Sequence, residues 1–259
     1  MTTGTGPRRA PWFSSPDPSL DAEAQLFLFP HAGGTSLTYR MWAATVSSGI
    51  ECRALQLPGR QERLDEPVFT RIEPLLAELQ EALEAELDGR PYVVFGHSFG
   101  ALLAYRLTVE IERNGGQGPE LLGVSGWAPG LVASKELEGV ADMTDQQILD
   151  RVGEFGLIPD EVPVSRDMLA AVMPSLRGDF VVAADYTEDG AAVSCPIAAY
   201  GGTSDPTLEP GALEAWAGLT PEFLGATEFP GDHFYLFEHA LAVQNSLDRH
   251  LRRRLAARA

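Results

Sequence analysis

A chain of 259 residues with 44% hydrophobic content carries enough apolar material for one large α/β domain or two small ones. Nineteen basic against 37 acidic side chains give a formal charge of −18, which excludes nonspecific nucleic-acid binding, since counterion-releasing contacts need a basic face. No run is long enough to span a bilayer and the first 18 residues lack the apolar core of a signal peptide; Cys52 and Cys195 have no metal-type spacing and read as buried reduced thiols. A cytoplasmic protein, without metal or redox cofactor, is the expectation.

In chain order, the Pro-rich stretch from Met1 to about Asp21 has few apolar residues apart from Trp12, Phe13 and Leu20 and reads as a mobile tail, leaving residues 22–259 as a single domain. Leu26-Phe27-Leu28-Phe29 reads as a strand, and Pro30-His31-Ala32-Gly33-Gly34 as a loop whose paired glycines let the backbone approach a substrate. Leu75, Leu76, Leu79, Leu83 and Leu87 recur at helical spacing and predict a helix over 73–87 packed on a sheet. Tyr92-Val93-Val94-Phe95 is a short β-branched and aromatic run, as expected of a strand buried on both faces. A helical run starts at Ala101 and stops at Asn114-Gly115-Gly116; Leu121 to Trp127 is the next strand.

From about 132 to 187 the βα alternation lapses. The segments 144–155 and 166–184 look helical, separated by Pro159 and Pro163, and form a helical insertion: a lid, or else a packed structural subdomain. Cys195 to Tyr200 resumes the strands, followed by the turn Gly201-Gly202-Thr203-Ser204-Asp205-Pro206. An apolar stretch from Phe223, the loop Phe229-Pro230-Gly231-Asp232-His233-Phe234 and a closing helix complete the chain. The fold class is α/β, with a mostly parallel central sheet flanked by helices.

Gly96-His97-Ser98-Phe99-Gly100, between strand and helix, reads as a nucleophile elbow. Its serine sits on a sharp strand-to-helix turn at the amino end of a helix, and the flanking glycines leave room for neighbouring backbone. A serine needs a base, and this arrangement places its partners in the order Ser, Asp or Glu, His. Of the histidines after the elbow, His239 and His250 fall in the closing helix, whereas His233 lies on a loop beyond a strand and is the candidate base. Asp205, at the end of the 195–200 strand, is the candidate acid, with Glu188, Asp189 and Glu209 as alternatives and an Asx turn as the structural explanation. The N–H groups of Phe99 and Ala32 are the candidate oxyanion donors.

Phe-Pro-His-Ala-Gly-Gly at 29–34, Leu-Pro-Gly-Arg-Gln-Glu-Arg at 57–63, Gly-His-Ser-Phe-Gly-Ala at 96–101, Ser-Gly-Trp-Ala-Pro at 125–129, the stretch through Leu176, Arg177, Asp179 and Tyr186, Gly-Gly-Thr-Ser-Asp at 201–205 and Gly-Asp-His-Phe at 231–234 occur in one order. This set resembles the motifs of stand-alone type II thioesterases of polyketide synthases and nonribosomal peptide synthetases, from about Trp12 to the end. The resemblance implies an α/β-hydrolase fold and removal of stalled or misloaded acyl or aminoacyl groups from the phosphopantetheine arm of acyl or peptidyl carrier proteins, through Ser98, Asp205 and His233 with Ala32 and Phe99. Three positions depart from the usual pattern: Phe99 for Met, Asp232 for Gly, and Trp127 for a smaller or more polar residue. An inward-facing Asp232 carboxylate would favour the His233 imidazolium.

Arg60, Arg63 and Arg106 are candidate docking residues for an acidic carrier, offsetting like-charge repulsion. Arg249, Arg252, Arg253, Arg254 and Arg258 are denser, but positive charge at a helix carboxyl end also matches the helix dipole. The rival functions are a general carboxylesterase or small-molecule thioesterase, which shares the triad and ignores the carrier, and a catalytically silent binding protein, against which the intact triad argues. A monomer is expected.

Overall fold

The computed structural model describes residues 11–15, 21–47, 49–130, 139–154 and 166–258. Its centre is a seven-stranded sheet: β1 (Phe13–Ser14), β2 (Ala24–Phe29), β3 (Ile50–Leu55), β4 (Tyr92–His97), β5 (Leu121–Ser125), β6 (Ile197–Gly202) and β7 (Phe223–Phe229), in the order β1-β3-β2-β4-β5-β6-β7. All neighbours pair in parallel except the edge strand β1, which runs antiparallel to β3.

The period-two alternation of strand side chains divides the core into two layers. Along β2, Phe27 and Phe29 join the layer under α2 (Ile72–Glu84) and α3 (Phe99–Arg113). Leu26 and Leu28 join the other, under α1 (Arg40–Thr45) and the last helix. Between β5 and β6 lie α4 (Asp145–Glu154) and α5 (Arg166–Asp185), close to the helical segments expected from the sequence. The last helix, α6 (Leu236–Arg258), is kinked at His239, whose Nε2 donates to the Pro230 carbonyl over 2.9 Å.

The described part of the expected tail is anchored, which corrects that expectation for residues 11–15. Phe13 is buried against Phe27 and Phe29, and Gln56 N–H donates to the Trp12 carbonyl over 2.7 Å. Residues 1–10 and 16–20, the rest of that stretch, lie outside the described residues, as do Pro159 and Pro163 of the expected insertion.

The elbow follows from local geometry. Ser98 has φ 56° and ψ −121°, a backbone conformation that a side-chain-bearing residue adopts only when its surroundings impose it. Two constraints do so: Ser98 N–H donates to the Ser125 carbonyl over 2.7 Å, and α3 begins at Phe99. A Cβ on Gly96 would overlap the Gly100 carbonyl, and one on Gly100 the Phe29 carbonyl, so both positions are held to glycine by close approach.

Candidate active site

The carboxyl ends of the parallel strands converge on one edge of the sheet, where open α/β sheets place their ligands. Ser98 follows β4, Asp205 follows β6 and His233 follows β7. His233 Nε2 is 2.9 Å from Ser98 Oγ, and His233 Nδ1 is 2.8 Å from Asp205 Oδ2. The serine, histidine and aspartate singled out by the chain order thus form one hydrogen-bonded row. His233 and Asp205 are buried, while Ser98 keeps partial exposure. Burial pushes the Asp205 carboxyl up, but hydrogen bonds from His233 and Thr207 outweigh it and hold the group below the ordinary carboxylate value.

Thr207 is a participant that sequence reading passed over. Its N–H and hydroxyl both donate to Asp205 Oδ1, over 2.9 and 2.7 Å, which leaves Oδ2 for the histidine. The signal was present as the Asx-type turn Asp205-Pro206-Thr207: the turn and the acid are one feature. A Cβ on Gly202 would overlap the Asp232 carbonyl, so this glycine lets the base loop settle onto the end of β6. Two of the three alternative acids are engaged elsewhere: Glu188 accepts from Gly130 N–H, and Asp189 pairs with Arg106 and Arg113; the third, Glu209, is exposed.

The loop after β2 is fixed from above. Gly33 N–H donates to Asp179 Oδ2 over 2.7 Å and Gly34 N–H to the His31 carbonyl over 2.9 Å. Asp179, on α5, is held in turn by a two-pronged pair with Arg60, 2.8 Å on each side, and Arg60 Nη1 donates to the Gly34 carbonyl over 2.9 Å. Leu176, one turn before Asp179, packs under Gly33. The 29–34, 57–63 and 176–179 motifs, which looked independent in the sequence, are one clamp around one loop.

The three candidate docking arginines are buried and paired in the structure. Arg60 is 4% exposed and fully committed to Asp179 and the loop. Arg63 is 1% exposed, pairs with Glu66 over 2.6 Å and lies 4.0 Å over the Trp12 ring. Arg106 is 8% exposed and pairs with Asp189. Docking through any of them would have to displace a carboxylate partner. Of the second cluster, Arg252 pairs with Asp248 and Arg254 with Glu222. These residues stand 13 or more positions along α6 from Leu236, about 20 Å from its site end.

The departures from the expected pattern also find places. Asp232 is exposed and its Oδ1 accepts from Phe234 N–H over 2.8 Å, capping the base loop rather than facing His233 inward. Trp127 is buried in an aromatic cluster, 6.2 Å from Tyr105, 6.1 Å from Tyr186 and 5.4 Å from Trp216 between ring centroids. Phe99 is buried at the start of α3. His31, on the loop, is pushed down to about 4 chiefly by burial. Among the described residues no group of three His, Cys, Asp or Glu side chains is placed to hold a metal ion, and no helix is long and apolar enough to cross a membrane.

The mostly parallel sheet flanked by helices defines the α/β-hydrolase class, with Ser98, His233 and Asp205 hydrogen-bonded in one row at its strand ends. The family model described as a thioesterase domain matches residues 24–251, and the chain belongs to that family of thioester hydrolases. It is similar to gramicidin S biosynthesis protein GrsT of Aneurinibacillus migulanus, 30% identical over 247 residues and 95% of each chain. Thioesterase TesA of Mycobacterium marinum is 32% identical over 225 residues, 86% of this chain and 88% of that one. The structure of the type II thioesterase BorB from the borrelidin biosynthetic cluster superposes with a TM-score of 0.81 at 31% identity, covering 93% of this chain and 97% of that one.

Proposed function

We propose that the protein is a type II editing thioesterase that hydrolyses acyl or aminoacyl groups from the phosphopantetheine arm of carrier proteins, clearing stalled or misloaded units from a polyketide or nonribosomal peptide assembly line. The observation that carries this reading is the alignment of Ser98, His233 and Asp205 at the elbow within 2.9 Å contacts. The names of the similar proteins, a gramicidin S biosynthesis protein and a type II thioesterase from the borrelidin biosynthetic cluster, support the pathway class.

In this mechanism Ser98 Oγ attacks the thioester carbonyl while His233 Nε2 takes the hydroxyl proton. Asp205 holds the Nδ1–H tautomer and balances the imidazolium that forms. The oxyanion is received by the N–H of Phe99, first residue of α3 and so without an intrahelical acceptor, and by that of Ala32. The choice of Ala32 is narrowed by its neighbours, since the Gly33 and Gly34 N–H groups are occupied by Asp179 and His31. His233 returns the proton to the departing thiol, and a water activated by the same nitrogen hydrolyses the acyl-enzyme. The partner is an acyl or peptidyl carrier protein, and a cytoplasmic monomer serves this role.

The test has two arms. A serine-directed phosphonate is expected to label Ser98, as mapped by mass spectrometry; labelling at another serine, or none in an active preparation, overturns the triad. One acyl group is then offered on a carrier protein, on coenzyme A and as an oxygen ester. Higher kcat/KM on the carrier is expected, because binding energy from the remote part of a substrate can be used in the transition state. Equal efficiency on all three would replace the carrier reading with a general esterase.

A further inference from the structure

His97 takes no part in the chemistry proposed above, yet it is 1% exposed and lies beside the triad. As the last residue of β4 it stands in register with Ser125, the last residue of β5, and its Nδ1 is 2.8 Å from Ser125 Oγ. Ser125 Oγ is 2.6 Å from the hydroxyl of Tyr235, which follows His233 by two positions on the base loop. All three side chains are buried.

Proton counting sets the direction of this chain. If Tyr235 donates to Ser125 and Ser125 donates to Nδ1, both hydroxyl protons are used and only the Nε2–H is left over. Reversing the chain strands both the tyrosine proton and the Nε2 lone pair. In the first arrangement the leftover Nε2–H falls short of good hydrogen-bond geometry, with the main-chain groups of His233 and Ser125 near the ring. The His97 and His233 rings are 5.1 Å apart and inclined by 38°. Gly126 closes the gap between them: a Cβ there would come within 2.8 Å of His97 Cε1 and 3.1 Å of His233 Cε1.

We propose that His97, tied through Ser125 to Tyr235, is a positioning residue for His233: the relay clamps the base loop onto the carboxyl ends of β4 and β5 and covers one face of the base with an imidazole instead of water. The inference rests on His233 being the base. The ionisable groups facing His97 are His233, His31 with its ring 6.3 Å away, and Tyr235. Asp179 and Arg60 act on His31, and Asp205 acts on Tyr235. Burial first, then the neighbouring His233 and His31, holds His97 well below the ordinary histidine value. It therefore stays uncharged beside the imidazolium that His233 becomes during each turnover, where a second cation would oppose the proton transfer.

The experiment measures kcat per phosphonate-titrated site, which removes any loss due to unfolded protein, together with the pH dependence of kcat/KM. Tyr235→Phe and Ser125→Ala are each expected to lower per-site kcat about tenfold with KM little changed, and the double variant no further, because both break one chain. His97→Ala is expected to move the acid limb of kcat/KM to higher pH, since water reaching the His233 ring solvates its charged form. His97→Asn, whose Oδ1 can accept from Ser125, should recover kcat but not the acid limb. Tyr235→Phe carries the test alone if Ser125→Ala fails to fold. Unchanged per-site kcat with an unmoved acid limb, or additive losses in the double variant, overturns the relay while the wild-type label at Ser98 leaves the triad intact. Failure of the wild-type enzyme to be labelled at Ser98 overturns both.

Discussion

At the residue scale, Asp205 is held between two partners, Thr207 on Oδ1 and His233 on Oδ2. Both Thr207 donors point at Oδ1. In Asp205→Asn they would select the amide oxygen and turn the amide NH2 toward His233 Nδ1, where it forces the tautomer that cannot accept the serine proton. The expected result is a folded protein with kcat lowered on the order of 10⁴-fold, the scale seen when a triad acid is made an amide; near wild-type turnover would remove Asp205 from the mechanism. Thr207→Val removes the hydroxyl bond but keeps the N–H bond, and a loss of about tenfold in kcat is expected because one determinant of the carboxylate's direction survives. Stopped-flow acylation and circular dichroism on the two variants check the rates and the fold.

At the element scale, α5 is joined to the site frame through Asp179, which holds both Arg60 and the Gly33 N–H. Arg60→Met would leave the buried Asp179 carboxylate without its cation, expected to cost about 3–5 kcal/mol by urea denaturation. Arg60→Met with Asp179→Leu removes both charges and should recover most of that stability, yet still strand the Gly33 N–H. Turnover is then expected to stay low while stability returns, and a double variant with full activity would show that the clamp serves stability only. The same clamp shows why part of the site was legible in sequence and part was not. The elbow is local, with strand, turn, glycines and helix written within a few residues, and the Ser, Asp, His order follows from the positions of three strand ends. Arg60 and Asp179 are 119 positions apart, and an arginine reads alike in sequence whether it faces water or a buried carboxylate; only the packed tertiary fold distinguishes a docking residue from a clamp. β1 failed to appear for a related reason, since two residues carry no period and their strand is created by the edge of β3.

At the scale of the whole molecule, charge acts on stability in two opposed ways as pH falls. Protonating some of the 37 acidic side chains relieves self-repulsion in a chain of formal charge −18, which favours the folded state. His31 and His97 act against it. Burial first, then neighbouring histidines, lowers both, His31 to about 4 and His97 well below the ordinary 6.5, with partial offset from nearby backbone carbonyls. Well above pH 6.5 neither state binds these protons and stability does not depend on them. Between 6.5 and about 4 the unfolded chain takes up protons that the folded protein refuses, so stability falls as pH falls. Asp205 is also lowered, but its contribution is present above the ordinary carboxylate range and is lost only below it, outside this window. The two effects separate with salt: at 1 M the screening length is about 3 Å, which suppresses repulsion between surface carboxylates and leaves the desolvation of the two imidazoles in place. Urea midpoints measured at 1 M salt are therefore expected to decline from pH 6.5 to 4, and His97→Asn is expected to make that decline shallower, since one of three lowered imidazoles is gone, His250 being the third. A midpoint independent of pH across that window would mean that the folded protein admits the protons, and that His97 sits in a wetter site than its burial requires.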